Sequence, residues 1–269
     1  MTLTRLSPKV AAYDHVLLDL DGCVWVGAEA TPGAAEALAA LRAAGKGIAF
    51  VTNDGRHSAE EFVRKLWSLG IKAGLEEVVT VGGALQFLLA ERYGSARAAA
   101  VVIGSPTIHR HVEQAGLRIV NGTDFVPRAE VVVVSGHERF DFAELRDATT
   151  AGLRGAALVA TSTDPTYPTS DGLWPGTGAL VAAVETAVGR KAHAIGKPDP
   201  GLVQAALDRL GPGRALFIGD RLDTDLAAAQ NAGIDGAIVL TGSTTREMAE
   251  AADPGPVAIS PTLAELVRG

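Results

Sequence analysis

The chain has 269 residues, which is more than one typical domain of about 150 residues and less than two. Apolar residues make up 47% of it and charged residues 20%, so the chain can bury a core and is not disordered. Its 24 basic and 31 acidic residues give a net charge of −7 without a cluster of Lys or Arg. This balance argues against a nucleic-acid partner, whose affinity would come mainly from neutralised phosphates.

The sequence also contains no pattern that predicts insertion into a membrane or export. Apolar runs such as Ala98–Ile103 are far shorter than the ~20 residues that span a bilayer. Residues 1–10 contain no apolar segment before a small-residue cleavage site, so we expect no secretory signal. The single cysteine, Cys23, excludes an internal disulfide framework and a zinc site made of several cysteines. We therefore expect an acidic α/β protein of the cytoplasm, with no membrane partner.

The first part of the chain alternates buried strands with helices. Continuous apolar runs predict strands at His15–Leu20 and Gly47–Thr52. Between them, Thr31 is expected to cap a helix that has Pro32 at its first position and ends at Gly45. Strand–helix units joined by short loops predict a parallel sheet with right-handed crossovers.

The rest of the chain forms a middle block and a C-terminal group that repeats the strand–helix pattern. The middle block, of about 110 residues, is long enough to bury a core of its own. We therefore expect an α/β fold in which a Rossmann-like parallel-sheet core (1–79 and 189–269) carries an inserted α/β domain (80–188). The predicted strands and helices of these two regions are Ala99–Ile103, Pro106–Ala115, Val131–Val134, Asp141–Gly152, Ala157–Thr161, Gly178–Val188, Ala215–Gly219, Asp223–Asn231, Gly236–Leu240 and Thr262–Val267.

Acidic and polar residues follow the strands of the predicted core sheet. The first strand runs into Asp19 and Asp21, and the second ends in Thr52. Asp220 directly follows the first strand of the C-terminal group, and Lys197 stands in a Gly-Lys-Pro loop before it. In open parallel sheets, ligands bind beyond the carboxyl ends of the strands. The sequence therefore predicts a functional site where these side chains meet.

The aspartates at the end of the first strand need partners, because an unpaired buried carboxylate is costly. Strand geometry would point Asp19 and Asp21 to the same side. A turn at Asp21-Gly22 is a simpler explanation, but it leaves Asp19 unexplained inside an apolar run. A hard divalent cation explains both carboxylates, and ligands that are all oxygen atoms favour Mg2+ over zinc.

Four short motifs follow one another along the chain. They are Asp19-Leu20-Asp21-Gly22-Cys23-Val24-Trp25, Val51-Thr52-Asn53, Gly196-Lys197-Pro198 and Gly219-Asp220-Arg221-Leu222-Asp223-Thr224-Asp225. Each motif alone is weak, but four in this order resemble the motifs of the haloacid dehalogenase superfamily. The sequence is most similar to its phosphatases with a large α/β cap of type C2, the NagD / p-nitrophenylphosphatase group. The likeness extends over almost the whole chain, and residues 164–168 and 172–178 resemble that group's cap.

The resemblance implies a Mg2+-dependent phosphatase that hydrolyses small soluble phosphate monoesters. Asp19 is implied to attack phosphorus and form an aspartyl-phosphate, and Asp21 to act as the general acid and base. Mg2+ is implied to be bound by Asp19, by the backbone carbonyl of Asp21, and by Asp220. Pairing of two chains through their caps is implied by analogy only.

Further site residues are implied by the same resemblance. The phosphate oxygens would be bound by Thr52, the Asn53 backbone and Lys197. Asp225 would orient Lys197 or a metal-bound water. In the cap, the candidates for contact with the substrate are Asp164, Thr166 and Tyr167.

Several neighbouring residues have simple interpretations or depart from the family. Asp54 stands where many relatives have Asn, and its carboxylate would repel phosphate unless it points away or contacts a donor on the substrate or the cap. Cys23 is expected to be a small core residue, Trp25 a core or cap-contact residue, and His57 part of a solvated loop. Asp223 is expected to be a favourable acidic residue at a helix N-terminus.

Two functions of other classes stay open at this point. In a phospho-accepting signalling module, Asp19 would take up phosphate without turnover, but such a module needs neither Asp21 nor a large insert. A non-catalytic phosphate- or nucleotide-binding α/β protein would need a Gly-rich loop after the first strand, and the sequence has none there.

Overall fold

The computed structural model describes residues 6–169 and 172–268. Residues 1–5, half of the segment in which we expected no secretory signal, lie outside the described residues. Within the described residues, two sheets of parallel strands lie in two compact units, which confirms the predicted α/β fold class. The first unit comprises residues up to Thr52, Ala59–Val79 and the chain from Lys197 onward. The second comprises Asn53–Ser58 and Thr80–Gly196. No helix in the described part of the chain is long and apolar enough to cross a membrane.

Most of the predicted strands and helices are present, with ends that coincide or differ by one or two residues. The strands are β1 (His15–Leu18), β2 (Trp25–Val26), β3 (Glu29–Ala30), β4 (Gly47–Thr52), β5 (Val78–Thr80), β6 (Ala99–Ile103), β7 (Arg118–Ile119), β8 (Val131–Val134), β9 (Ala157–Ala160), β10 (Thr166–Thr169), β11 (Gly172–Pro175), β12 (His193–Ala194), β13 (Ala215–Gly219), β14 (Asp235–Val239) and β15 (Ala258–Ser260). The helices are α1 (Pro8–Ala11), α2 (Ala34–Ala43), α3 (Ala59–Ser68), α4 (Val81–Tyr93), α5 (Pro106–Gln114), α6 (Phe142–Leu153), α7 (Thr177–Val188), α8 (Gly201–Leu210), α9 (Ala227–Asn231), α10 (Arg246–Glu250) and α11 (Leu263–Arg268).

The first unit is built on a sheet with strand order β15-β14-β13-β1-β4-β5. Strand β1 pairs in parallel with β13 on one side and with β4 on the other. Every residue of β1 is buried, as its continuous apolar run predicts for a strand that is covered on both faces. The carboxyl ends of β13, β1 and β4 therefore lie side by side at one edge of this sheet.

The second unit has a sheet of its own with strand order β12-β9-β8-β6-β7. Its strands pair in parallel, and the four valines of β8 are all buried. The sequence placed the return of the chain to the first unit after residue 188. The second unit instead extends to Gly196, because β12 pairs with β9.

One local prediction was wrong, and one helix has an unpredicted form. Thr31 does not cap α2, whose N-cap residue is Gly33 with a φ of 70°. The buried Thr31 hydroxyl instead donates a hydrogen bond to the carbonyl oxygen of Cys23, at 2.8 Å. The helix predicted over Asp223–Asn231 begins as a π-helical turn, Leu222–Leu226, before α9.

Several further elements were not predicted from the sequence, among them α4, β5, β10 and β11. Helix α4 carries Gly82 and Gly83 in its first turn, and glycine disfavours helix formation. Strand β5 and the antiparallel hairpin of β10 and β11 are short, so their residues give weak patterns.

Candidate active site

The three central strands of the first sheet deliver polar side chains to adjacent strand ends. Asp19 directly follows β1, Thr52 is the last residue of β4, and Asp220 directly follows β13. All three residues are buried. Strand β1 ends at Leu18 and not at Leu20, so Asp19 lies just beyond the paired part of the strand. The parallel register thus brings together the residues that the sequence assigned to one edge.

Lys197 is also buried, with 2% of its surface exposed, and it lies at this edge of the sheet. Its ammonium group donates to Asp19 Oδ1 at 2.5 Å and to Asp225 Oδ1 at 2.7 Å. A third bond, of 3.2 Å, reaches the carbonyl oxygen of Val51 in β4. These three bonds fix the position of the ammonium group beside Asp19. Lys197 is therefore a fixed part of the acidic cluster and not an exposed loop lysine.

Asp225 links Lys197 to the loop that follows β13. Its second oxygen, Oδ2, accepts hydrogen bonds from the backbone amides of Asp220 and Arg221, each at 3.1 Å. The π-helical turn places the Asp225 side chain against Gly219, where a Cβ would clash with the carboxylate. Asp225 thus contacts both the Lys197 ammonium group and the backbone that follows β13.

Asp220 lies in a cradle that sequence reasoning missed. Its Oδ2 accepts a hydrogen bond from the backbone amide of Ser243, at 2.6 Å. A Cβ at Gly22 or at Gly242 would clash with the Asp220 carboxylate. Gly22 also has a φ of 90°, which favours glycine. Only the Asp-Gly dipeptide at Asp21 gave a sequence signal for this approach; nothing marked Gly242.

The carboxylates of Asp19, Asp220 and Asp225 form a cluster that fits a hard divalent cation. One oxygen from each lies within 4.8 Å of the others, and all three residues are buried. Three ionised carboxylates around the Lys197 ammonium leave excess negative charge, which a divalent cation would neutralise. The sequence named Asp19, Asp21 and Asp220 as ligands, with Asp21 contributing only its backbone carbonyl. In the structure, the third carboxylate beside those of Asp19 and Asp220 is that of Asp225.

Burial and mutual repulsion shape the protonation of this cluster. Burial raises the pKa of Asp19 well above its usual value, although the Lys197 ammonium opposes the shift. Burial and the neighbouring Asp225 raise the pKa of Asp220 to about 6. Burial alone would lower the pKa of Lys197, but Asp19 and Asp225 outweigh it and hold that pKa above its usual range. Lys197 therefore stays charged at neutral pH.

Asp21 is half-buried, and a fully buried tryptophan holds its side chain. The indole Nε1 of Trp25 donates to Asp21 Oδ1 at 2.8 Å. The Trp25 ring stacks on the Phe62 ring at a centroid distance of 6.3 Å. The ammonium nitrogen of Lys65 lies over the Trp25 ring, 4.0 Å from its centroid. Trp25 is thus a core residue that orients the predicted general acid, a role that sequence reasoning did not assign.

Asn53 and the predicted cap residues lie in the second unit. Asn53 Nδ2 donates to Asp164 Oδ2 at 3.1 Å, and Ser162 Oγ donates to the same oxygen at 2.5 Å. Tyr167, in β10, lies under the guanidinium group of Arg56, whose Cζ is 4.1 Å from the ring centroid. Thr166 also lies in β10 and pairs with Pro175 of β11. Asp164 and Tyr167 are thus both linked to residues that directly follow β4.

Asp54, the residue that departs from the family pattern, has partners of its own. Its carboxylate accepts hydrogen bonds from Arg56 Nε at 2.9 Å and Nη2 at 3.0 Å, and pairs with His57 Nδ1 at 2.9 Å. Burial by itself raises the pKa of Asp54, but bonds to His57 and Arg56 hold that pKa far below its usual value. The donors that contact the Asp54 carboxylate come from its own loop, and not from residues 80–188.

Cys23, His57 and Asp223 lie close to site residues in the sequence. Cys23 is a fully buried core residue, as predicted, and burial raises the pKa of its thiol well above the usual value. The His57 side chain is half-exposed, which agrees with a solvated loop, although it pairs with Asp54. The exposed Asp223 carboxylate pairs with Arg221 at 2.7 Å.

A parallel sheet with buried aspartates at its strand ends is the arrangement that the four motifs indicated. The family profile for haloacid dehalogenase-like hydrolases matches residues 16–118, and a HAD-hydrolase-like profile matches residues 194–266. The chain belongs to the haloacid dehalogenase-like hydrolase family.

Curated relatives and solved structures place the chain within this family. It is 39% identical to mouse chronophin over 88% of this chain and 84% of that protein. It is 38% identical to D-glycerol 3-phosphate phosphatase of Mycobacterium tuberculosis over 90% of this chain and 67% of that protein. A glycerol phosphate phosphatase of M. tuberculosis in complex with magnesium superposes with a TM-score of 0.88 and 36% identity, covering 98% of this chain and 79% of that one. NagD from E. coli K-12 does so with a TM-score of 0.83 and 26% identity, covering 94% and 97% of the two chains. The NagD-like resemblance is confirmed, and the protein is a phosphatase of this group.

Proposed function

We propose that the protein hydrolyses small phosphate monoesters in a Mg2+-dependent reaction in which Asp19 is the nucleophile and Asp21 the general acid and base. The observation that carries the proposal is the buried contact between Lys197 and Asp19, with Asp220 and Asp225 beside it at the carboxyl edge of the sheet. This arrangement offers a carboxylate to attack phosphorus and an ammonium group to bind phosphate oxygens.

In the first step, a carboxylate oxygen of Asp19 attacks phosphorus and the bond from phosphorus to the ester oxygen breaks. Lys197 binds Oδ1 of Asp19, so we assign the attack to Oδ2. Asp21 gives its proton to the departing alcohol oxygen, which makes the alcohol a better leaving group. Lys197, Thr52 and Asn53 bind the phosphate oxygens on which charge shifts in the transition state.

In the second step, water attacks the aspartyl-phosphate and the bond from phosphorus to Asp19 breaks. Asp21, now ionised, takes a proton from the water. The products of the two steps are one alcohol and one inorganic phosphate for each ester and water consumed. Trp25 keeps the Asp21 carboxylate in place for both proton transfers.

The metal would be bound by the carboxylates of Asp19 and Asp220 and by the backbone carbonyl of Asp21. When bound, Mg2+ supplies positive charge that stabilises the negatively charged phosphoryl oxygens. Asp225 would act on Lys197, which it contacts at 2.7 Å, and would thereby keep the ammonium group in place.

We assign the selection of the leaving group to the second unit, with Asp164, Thr166 and Tyr167 as its candidate residues. Relatives that are named for glycerol 3-phosphate make that ester the first substrate to try. Phosphoglycolate, pyridoxal phosphate, a nucleotide and a sugar phosphate complete the panel. A homodimer formed through the second unit and a cytoplasmic location are further proposals, tested by light scattering and by cell fractionation.

The test is steady-state turnover of p-nitrophenyl phosphate and of the panel in the presence of Mg2+. We expect many turnovers per enzyme, with one alkyl phosphate preferred. Incorporation of one phosphate per chain without turnover would instead favour the signalling module. Binding of phosphate without incorporation or turnover would favour the non-catalytic protein.

A further inference from the structure

The second sheet has a topological switch point of its own, between β6 and β8. From β6 the chain continues to β7 on one side, and the next strand, β8, lies on the other side of β6. In open parallel sheets, ligands bind in the crevice beyond the carboxyl ends of the strands at such a point. Ser105 follows β6 here at the N-terminus of α5, and Ser135 directly follows β8.

This crevice contains a segment of the chain itself. Ser105 Oγ donates to the carbonyl oxygen of Gly55 at 3.2 Å. A Cβ at Gly55 would lie 2.8 Å from Ser135 Oγ and 3.0 Å from Ile108 Cδ1. Ser135 and Ile108 are both buried, and Thr161 donates a hydrogen bond of 2.9 Å to the Ser135 hydroxyl. The neighbours of Gly55 therefore have little freedom to make room for a side chain.

Contacts on either side of Gly55 attach the same segment to the second unit. Asn53 is bonded to Asp164, and the Arg56 guanidinium lies on the Tyr167 ring. The Asp54 carboxylate is neutralised within the segment by Arg56 and His57. Residues 53–58 belong to the second unit, although the chain on both sides of them belongs to the first.

We propose that the switch-point crevice of the second sheet is a seat for residues 53–58, and that Gly55 is a positioning residue for phosphate binding by Asn53. The role of Asn53 rests on the proposed function. The physical reason is entropic: a segment that is already ordered loses less conformational freedom when Asn53 binds phosphate. Gly55 is suited to this position because its backbone must approach the crevice more closely than any side chain allows.

The test substitutes Gly55→Ala and compares it with Gly83→Ala, whose added Cβ would meet only Thr80 Oγ1, at an ordinary 3.5 Å. The rescue variant combines Gly55→Ala with Ser135→Gly, which removes the nearer of the two obstacles. Hydrogen–deuterium exchange over residues 53–58 measures how firmly the crevice holds this segment. The inhibition constant of inorganic phosphate, together with KM and kcat for p-nitrophenyl phosphate, measures the positioning.

For Gly55→Ala we expect faster exchange in residues 53–58 and a rise of about fivefold in both KM and the phosphate inhibition constant, with kcat changed by less than about twofold. The rescue variant should reverse most of both effects, and Gly83→Ala should show neither. If the exchange rate of residues 53–58 were unchanged in Gly55→Ala, the proposal that the crevice holds this segment would be overturned. Faster exchange, or a lower melting temperature alone, with unchanged phosphate affinity would overturn the positioning role.

The outcome is separable from that of the proposed function. If the wild-type chain does not turn over phosphate esters, the proposed function fails, but the exchange experiment still decides whether the seat exists. Calorimetric titration of the variants with inorganic phosphate then decides the positioning role, because it needs no turnover. Equal phosphate affinity in the wild-type and Gly55→Ala chains would overturn that role.

Discussion

The two parallel sheets of this chain carry different chemistry at their carboxyl edges. At the edge of the first sheet, the buried Asp19 and Asp220 directly follow strands and Lys197 contacts Asp19. At the edge of the second sheet, the corresponding buried residues are hydroxyl residues, Ser135 and Thr161, which bond to each other. Both edges follow buried apolar strands, so strand pattern alone does not distinguish them.

The difference shows how one architecture serves two purposes. Buried charges at the first edge are costly unless they bind a cation or a phosphate, so they indicate a site for chemistry. Hydroxyl groups at the second edge satisfy each other, and Ser105 satisfies a backbone carbonyl of the chain, so they need no outside ligand. The fold provides the edge, and the residue that follows each strand decides its use.

The largest expected effect comes from a comparison of one buried aspartate in each unit. Asp19→Asn should lower kcat for p-nitrophenyl phosphate on the order of a thousandfold or more, because the amide is a poor nucleophile. Asp147→Asn, in the second unit, removes a carboxylate that accepts a hydrogen bond from the Gly122 amide at 2.6 Å. It should affect stability but retain turnover. Loss of turnover in both variants, or in neither, would break the contrast between the two units.

Removal of the metal should affect only the first edge. Chelation with EDTA should lower kcat about a hundredfold or more, because the charge that stabilises the phosphoryl oxygens is lost. Excess Mg2+ should restore activity and raise the melting temperature, since it binds the folded carboxylate cluster. Equal activity in EDTA and in Mg2+ would contradict the assignment of the cluster.

Replacement of Asp21 tests its assignment as the general acid. Asp21→Asn should slow hydrolysis of glycerol 3-phosphate about a hundredfold or more, because an alkoxide leaves poorly without a proton. Hydrolysis of p-nitrophenyl phosphate should suffer less, since p-nitrophenolate needs no such help. The ratio of the two rates is the measurement, and an equal loss for both esters would remove Asp21 from this role.

A smaller effect of the same kind is expected from Trp25. Trp25→Phe removes the indole donor that lies 2.8 Å from Asp21 Oδ1 and keeps an aromatic ring in the core. We expect hydrolysis of glycerol 3-phosphate to fall about tenfold, with a smaller loss for p-nitrophenyl phosphate. A loss that is the same for both esters would indicate a merely structural role for the indole.

The smallest expected effect concerns Asp54 in the second unit. Its pKa lies below the usual value, so its carboxylate stabilises the folded state above about pH 4 and loses this contribution as the pH falls further. Asp54→Asn should lower the free energy of unfolding at pH 7 by about 1–3 kcal/mol. The difference from the wild type should shrink below pH ~4 in urea titrations.

A matched control for Asp54 is Asp223, whose carboxylate is exposed and paired with Arg221. Asp223→Asn should cost less than about 1 kcal/mol, as is usual for exposed ion pairs. If the two variants had equal effects at pH 7, the partly buried Asp54 pair would contribute no more than an exposed one.

The sequence by itself determined the central strands of both sheets and the residues that follow them. Unbroken apolar runs such as β1 and β8 exist because strands covered on both faces exclude polar side chains. Aspartates directly after such runs were recognisable because charges are rare there. Asp19, Asp220 and Lys197 could therefore be predicted to meet from the strand pattern and the motifs.

Only the tertiary structure decided which side chains touch and which backbone approaches are close. Three contacts illustrate this: the approach of Gly22 and Gly242 to Asp220, the hydrogen bond from Trp25 to Asp21, and the position of Gly55 in the crevice. Each depends on a distance across the fold or across a turn, which the order of residues does not give. The sequence shows that a residue is glycine, but it does not show whether glycine is required there for close packing or for a turn. Because packing depends on every neighbour at once, a single sequence without its fold does not separate these cases.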